Sequence, residues 1–201
     1  MVTTNILAQQ CIVNDIYYNL NNSSKKASVT YGKTPYSGNV TLPSSINYNG
    51  DNYAVTSIGK SAFSGCTSLE KIKIPNSVTS IEESAFKGCS KLNSVTIPNS
   101  VTSIGSSAFS GCSMLFFLAI PNSVVSIGTS AFSSCTGLKS MEIPNSVTAI
   151  EKSLFYGCEN MTSVTLGDGV TSIGKSAFSN CSRLKTINIP NSVAKIESYA
   201  F

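Results

Sequence analysis

Histidine and tryptophan are both missing from this 201-residue chain, and charged side chains make up only 12% of it. Without histidine there is no Ser-His or Cys-His nucleophile pair and no imidazole metal ligand. The ten carboxylates are too dispersed to supply a substitute. Glu82 and Glu83 are neighbours whose side chains diverge, and Asp168 stands alone in a Gly-Asp-Gly turn, short of the oxygen ligands calcium needs. No glycine loop of the phosphate-binding type occurs. No catalytic residue, cofactor or metal is therefore expected. Long apolar runs are missing too: the longest, Met114 to Ile120, has seven residues, against about 20 for a membrane-spanning helix. The N-terminus lacks the basic and apolar regions of an intact signal peptide, although "NILAQQ" has the look of a remnant of one. A net charge of +4, spread from Lys25 to Lys195, lacks the clustered basic face of a nucleic-acid binder.

What the chain has is a repeat. From Val55 onward it divides every 23 residues, beginning VTSIGKSAFSGCTSLEKIKIPNS and restarting at Val78, Val101, Val124, Val147 and Val170. A seventh copy stops at Phe201 after "VAKIESYAF". Eight positions stay apolar, in the first copy Val55, Ile58, Ala62, Phe63, Cys66, Leu69, Ile72 and Ile74. "KIKIP" alternates with the period of a half-buried strand. The proline after it cannot donate to a ladder and marks the strand end. In the fifth copy Gly167-Asp168-Gly169 replaces Pro-Asn-Ser, which suggests a looser turn. "SAFSGC" suits one tight helical or 3₁₀ turn. One copy cannot bury enough apolar surface to offset the ordering of its backbone, so copies must stack. At about 4.8 Å per strand the stack is roughly 30 Å long.

The pattern CxxLxxVxIPxSVTSIGxxAFxG closely resembles the leucine-rich repeats of the BspA-like family, found in bacterial surface proteins and some parasitic protists. Leu69, Ile72, Ile74, Pro75, Ile58, Ala62, Phe63 and Cys66 carry the resemblance, which covers 55–201 and, more weakly, 40–46. It implies a right-handed solenoid, mainly β with short 3₁₀ or helical turns and a parallel sheet on one face. It also implies an extracellular or cell-surface setting, a role in adhesion, and a host-matrix or cell-surface protein as partner.

Residues 1–54 read as an N-terminal cap preceding the array at 55–201. "NVTLPSSI" matches "KIKIPNSV" and marks a degenerate repeat. "INYNGDNYAV" reads as a β-hairpin turning at Asn49-Gly50, and "DIYYNL" with "ASVTYG" as a further strand pair. Tyr17, Tyr18, Tyr31, Tyr48 and Tyr53 gather here, either packing under the cap or forming a carbohydrate-binding platform. At the other end the chain stops mid-repeat with Tyr199-Ala200-Phe201, residues expected to be buried, as in a piece cut from a longer protein or an end that oligomerises.

Six of the seven cysteines, Cys66, Cys89, Cys112, Cys135, Cys158 and Cys181, recur at the repeat interval. Stacked copies place them in one column with parallel side chains, as buried thiols or as disulfides between neighbouring coils. A linear column cannot surround zinc tetrahedrally. Cys11 has no counterpart and is expected to be exposed.

The third copy departs from the pattern. In "CSMLFFLAIP", Leu115, Leu118 and Ile120 are ordinary core positions, while Met114, Phe116, Phe117 and Ala119 replace polar residues. Alternation points Phe117 and Ala119 outward; Phe116 sits at the bend. The outward column reads Lys71, Ser94, Phe117, Ser140, Ser163, Thr186, and beside it Lys73, Thr96, Ala119, Glu142, Thr165, Asn188. Aromatics on a polar sheet suggest an anchor for a protein or glycan partner, with Phe117 and Phe116 assisted by Lys71, Lys73, Lys139 and Glu142. The competing readings are cover by another segment, or a structural stalk whose ends stack.

Overall fold

The computed structural model describes residues 9–201; the first four residues of "NILAQQ" lie outside them. Sixteen strands and no helix are found there. The first six build the cap and its junction: β1 (Gln9–Val13), β2 (Ile16–Asn21), β3 (Lys26–Thr30), β4 (Gly38–Thr41), β5 (Ser45–Tyr48) and β6 (Asp51–Ile58). The array supplies β7 (Leu69–Lys73), β8 (Ser80–Ile81), β9 (Ser94–Thr96), β10 (Ser103–Ile104), β11 (Ser126–Ile127), β12 (Ser140–Ile143), β13 (Ala149–Ile150), β14 (Ser163–Leu166), β15 (Ser172–Ile173) and β16 (Lys195–Ile196).

Two antiparallel units precede the array. β1, β2 and β3 are an antiparallel meander, and β5 and β6 a hairpin whose Asn49 and Gly50 both have positive φ, the geometry of a type I′ turn. β3 then pairs in parallel with β6, joining meander to array. β4 pairs with β7, Val40 opposite Ile72, so the degenerate copy is a true coil. Tyr36 locks the junction: its hydroxyl donates to the Thr30 carbonyl at 2.9 Å and accepts the Tyr17 amide at 3.0 Å.

Each repeat makes one coil with two parallel sheet sides, where a single sheet was expected. The strands before the proline form one side, and the short Ser-Ile pairs after it form the other: Ile58, Ile81, Ile104 and Ile127 follow in register. The third side, "SAFSGC", carries the expected turn bonds, such as Cys66 N to Phe63 O at 3.0 Å. Positive φ at Ser61 and Gly65 keeps those turns from chaining into a helix. Alternate amides instead reach the next coil, Ser61 to Glu83, Phe63 to Ala85 and Gly65 to Lys87, at 2.7–2.9 Å. The core follows from this path. Phe63, Phe86, Phe109, Phe132, Phe155, Phe178 and Phe201 stack with centroids 5.1–5.7 Å apart, and Tyr36 heads the column 4.7 Å from Phe63.

Three local expectations are corrected. The Gly167 turn closes like the others, Val170 N to Gly167 O at 3.1 Å. It is not looser: a Cβ on Gly167 would stand 2.7 Å from Asn145, so glycine lets the coils approach. Cys11 is buried, only 5% exposed, because β1 alternates and its partner in register, Tyr18, is buried too. Tyr199 occupies the column of Ser61, an outward αL position (φ 58°), so its 74% exposure is not that of an uncovered core residue.

Candidate interaction surface

The cysteine column is the most concentrated chemistry in the array, and it is closed. All seven thiols are free and buried. From Cys89 onward each column sulfur donates to the phenylalanine carbonyl of the coil before: Cys89 to Phe63, Cys112 to Phe86, Cys135 to Phe109, Cys158 to Phe132 and Cys181 to Phe155, at 3.0–3.2 Å. Burial pushes the Cys89 and Cys135 thiols up to about 12. Thiolates, the reactive form, are thereby suppressed. The sulfurs act as hydrogen-bond donors in a dry core.

The tyrosines of the cap do not form a platform. Tyr18 and Tyr53 are buried, Tyr17 and Tyr48 pack against the core, and only Tyr31 of the five is exposed. The Tyr53 hydroxyl is spent on Asn22, 2.7 Å away.

The pre-proline sheet side is different. Phe116 is 49% and Phe117 65% exposed, with Ala119 also exposed and the flanking Leu115 and Leu118 buried. Phe116 leans toward the next coil, where a Cβ on Gly137 would come within 3.3 Å of its ring. Gly137 is the one glycine in a column of Ser68, Lys91, Met114, Asn160 and Arg183. Sequence reading missed it, although the glycine one coil beyond the odd aromatic was a visible signal. Phe117 stands between two grooves. One, about 350 Å³, is lined by Asn93 to Ile97 with Phe116, Phe117 and Ala119. The other, about 300 Å³, runs round the proline corner past Phe117, Ala119, Asn122 and Glu142. Glu142 thus shares a groove with Phe117 and Ala119. The Lys139 amide donates to the Phe116 carbonyl at 3.3 Å. Lys71 and Lys73 are exposed in β7, two coils away, and line neither groove.

The grooves coincide with a break in the hydrogen bonding. The pre-proline strands fall into β4-β7-β9 and β12-β14, and Phe117–Ile120 belongs to neither. The post-proline strands break one step on, between β11 and β13. Among the described residues no backbone hydrogen bond joins 117–127 to 140–150, whereas Thr171 N to Thr148 O (2.8 Å) is formed one coil later. Across this seam the Ser146 hydroxyl still donates to the Val124 carbonyl at 2.6 Å. The turn side also stays closed, with Phe132 N to Leu154 O at 3.0 Å. Val125, 57% exposed in a column that holds threonine in the other five full copies (Thr56, Thr79, Thr102, Thr148 and Thr171), lies on the same seam.

Comparison with known proteins agrees with this architecture. The BspA type leucine rich repeat region, in six copies, matches residues 28–118, 56–136 and 115–201. A leucine-rich repeat protein of Bacteroides ovatus is 36% identical over 95% of this chain with a TM-score of 0.87. A leucine rich cell surface protein of Faecalibacterium prausnitzii is 32% identical over 96% with a TM-score of 0.84. The leucine-rich repeat protein of T. pallidum is 31% identical over 94%, TM-score 0.82, and is covered over 86% of its own length. The chain spans only 50% and 52% of the Bacteroides and Faecalibacterium proteins. No functionally curated protein matches. Core columns, coil geometry and similarity agree, and the chain belongs to the BspA type leucine-rich repeat family.

Proposed function

We propose that this chain is a non-catalytic recognition module that presents its pre-proline sheet side to a protein partner at a bacterial cell surface. Leucine-rich repeat proteins of this kind generally serve protein interaction, which supplies the coarse reading. The finer one rests on a single observation: Phe117 is 65% exposed in the middle of a polar sheet side, between two grooves. Exposed aromatics beside grooves are the usual anchors of protein interfaces. The surface setting draws support from the Faecalibacterium relative, which is described as a cell surface protein.

The test is surface binding to a panel of host matrix glycoproteins by the wild type and a Phe116→Ser, Phe117→Ser double variant. Phe117 is mostly and Phe116 about half in solvent, so the variant should keep its fold, checked by circular dichroism and thermal melting. Saturable binding lost in the variant supports the reading. Equal binding by both chains removes the aromatics from the interface, and absence of binding by either withdraws the adhesive role.

A further inference from the structure

We infer that the partner segment recognised at Phe117 is an acidic, extended polypeptide with an apolar residue at its centre. The inference rests on the reading of this face as the recognition surface and adds the chemistry of what it binds.

Charge is unevenly divided over the molecule. The segments Ser68–Lys73 and their equivalents in the five later coils hold Lys71, Lys73, Lys91, Lys139, Arg183 and Lys185 against Glu70 and Glu142. Elsewhere eight cations face eight carboxylates, so the whole excess of +4 belongs to this side. All six cations are exposed. The ion pairs among the described residues are Lys25–Asp51, Lys60–Glu83 and Lys195–Glu197, and none uses a cation of this side. Elsewhere the molecule pairs some of its charges; here the lysines stand without a carboxylate partner. Such a surface attracts a negative partner and discriminates against a positive one.

The layout favours a polypeptide over a sulfated glycan or a nucleic acid. A polyanion of uniform charge fits a continuous basic strip. Here the cations lie in coils one, two, four and six, and the coil-three segment, Met114–Ala119, is wholly uncharged and apolar. Its two grooves, about 350 and 300 Å³, combine Phe117, Ala119 and aliphatic neighbours with Asn and Thr side chains and, in the second, the Glu142 carboxylate, which suits an uncharged leucine- or phenylalanine-sized side chain. With coils about 4.8 Å apart, Lys71 and Lys73 lie roughly 10 Å to one side of Phe117 along the stack, and Lys185 roughly 15 Å to the other. An extended peptide advances about 3.3 Å per residue. Acidic residues about three positions before the apolar anchor and four to five after it would therefore meet the lysines. The anchor supplies burial, and the flanking pairs set direction and selectivity.

The experiment is fluorescence anisotropy with a labelled peptide carrying a central leucine and glutamates at both ends. Its controls are the same peptide with lysines for glutamates and a heparin oligosaccharide. The expected result is binding of the acidic peptide only, weakened at least about ten-fold between low salt and roughly 0.5 M salt as screening shortens the reach of the lysines. Phe117→Ser and Lys71→Gln with Lys73→Gln should each weaken it further. Equal binding of the lysine peptide, or indifference to salt and to the lysine changes, overturns the acidic partner. So does failure of the acidic peptide to bind at millimolar concentration, or tighter binding of heparin that ignores Phe117→Ser. In those cases Phe117-dependent binding of a matrix glycoprotein still leaves the recognition face standing. Acidic-peptide binding that is untouched by Phe117→Ser has the opposite meaning: the charge attraction is real and the recognition site is elsewhere.

Discussion

The thiol of Cys112 donates to the backbone carbonyl of Phe86, one coil earlier, at 3.2 Å. That carbonyl already accepts the Cys89 amide at 3.1 Å, so the sulfur serves its second lone pair. Alanine has no donor to offer there, and serine is costlier to bury than a thiol. Cys112→Ala is expected to lower the unfolding free energy by about 1–3 kcal/mol, combining a lost hydrogen bond with a small cavity. Urea denaturation checks this, and a change within experimental error would mean that the sulfur contributes neither bond nor packing.

Alkali should weaken the fold through the same column. Burial raises all six thiols above their ordinary value of 9.0, Cys89 and Cys135 to about 12 and Cys181 to about 11. Above pH ~9 the unfolded chain releases thiol protons that the folded chain retains, so stability falls as pH rises and levels off only above ~12. Below pH ~9 both states are protonated and the column adds no pH dependence. The urea midpoint should therefore hold between pH ~7 and ~8.5 and drop between ~9 and ~11. A Cys112→Ala, Cys135→Ala variant should show a shallower drop.

The turn column Gly65, Gly88, Gly111, Ser134, Gly157, Asn180 has positive φ throughout, with Ser134 at 57°. A serine in αL is strained relative to glycine, by about 1–2 kcal/mol before the extra freedom of glycine in the unfolded chain is deducted. Ser134→Gly should thus stabilise by about 0.5–1 kcal/mol and raise the melting temperature by roughly 2 °C. Calorimetry of the two proteins decides it, and a lower melting temperature would contradict the strain argument.

The seam should be visible to hydrogen exchange. Amides in 117–120 have no backbone partner among the described residues and lie beside grooves wide enough for water, whereas β12 and β14 are paired in register from Ser140–Ser163 to Ile143–Leu166. Peptides covering 117–120 should exchange at least about ten times faster than those covering 140–143 or 163–166. Uniform protection along the sheet would mean that the break closes in solution.

The core columns were readable residue by residue, because every coil reuses the same eight apolar positions and stacking makes period 23 visible. The hairpin at Asn49-Gly50 was readable for a local reason, the positive φ that both residues accept. The second sheet side was harder: its strands are two residues long, too short for alternation to register. The sulfur-to-carbonyl bonds and the seam were illegible, since both belong to pairs of coils rather than to either coil's own pattern. The outward placement of Phe117 followed from alternation. The lean of Phe116 toward Gly137 did not, because it depends on a missing side chain 21 positions away.

The seam also bears on how the rod behaves under load. A rod pulled from its two ends is stretched along its axis, and hydrogen bonds between coils resist that pull in parallel. At most junctions two sheet sides and the turn side share the load; between 117–127 and 140–150 the turn side carries nearly all of it. Extension should begin there, with the phenylalanine stack as hinge, so the coil that bears Phe117 is also the first to yield.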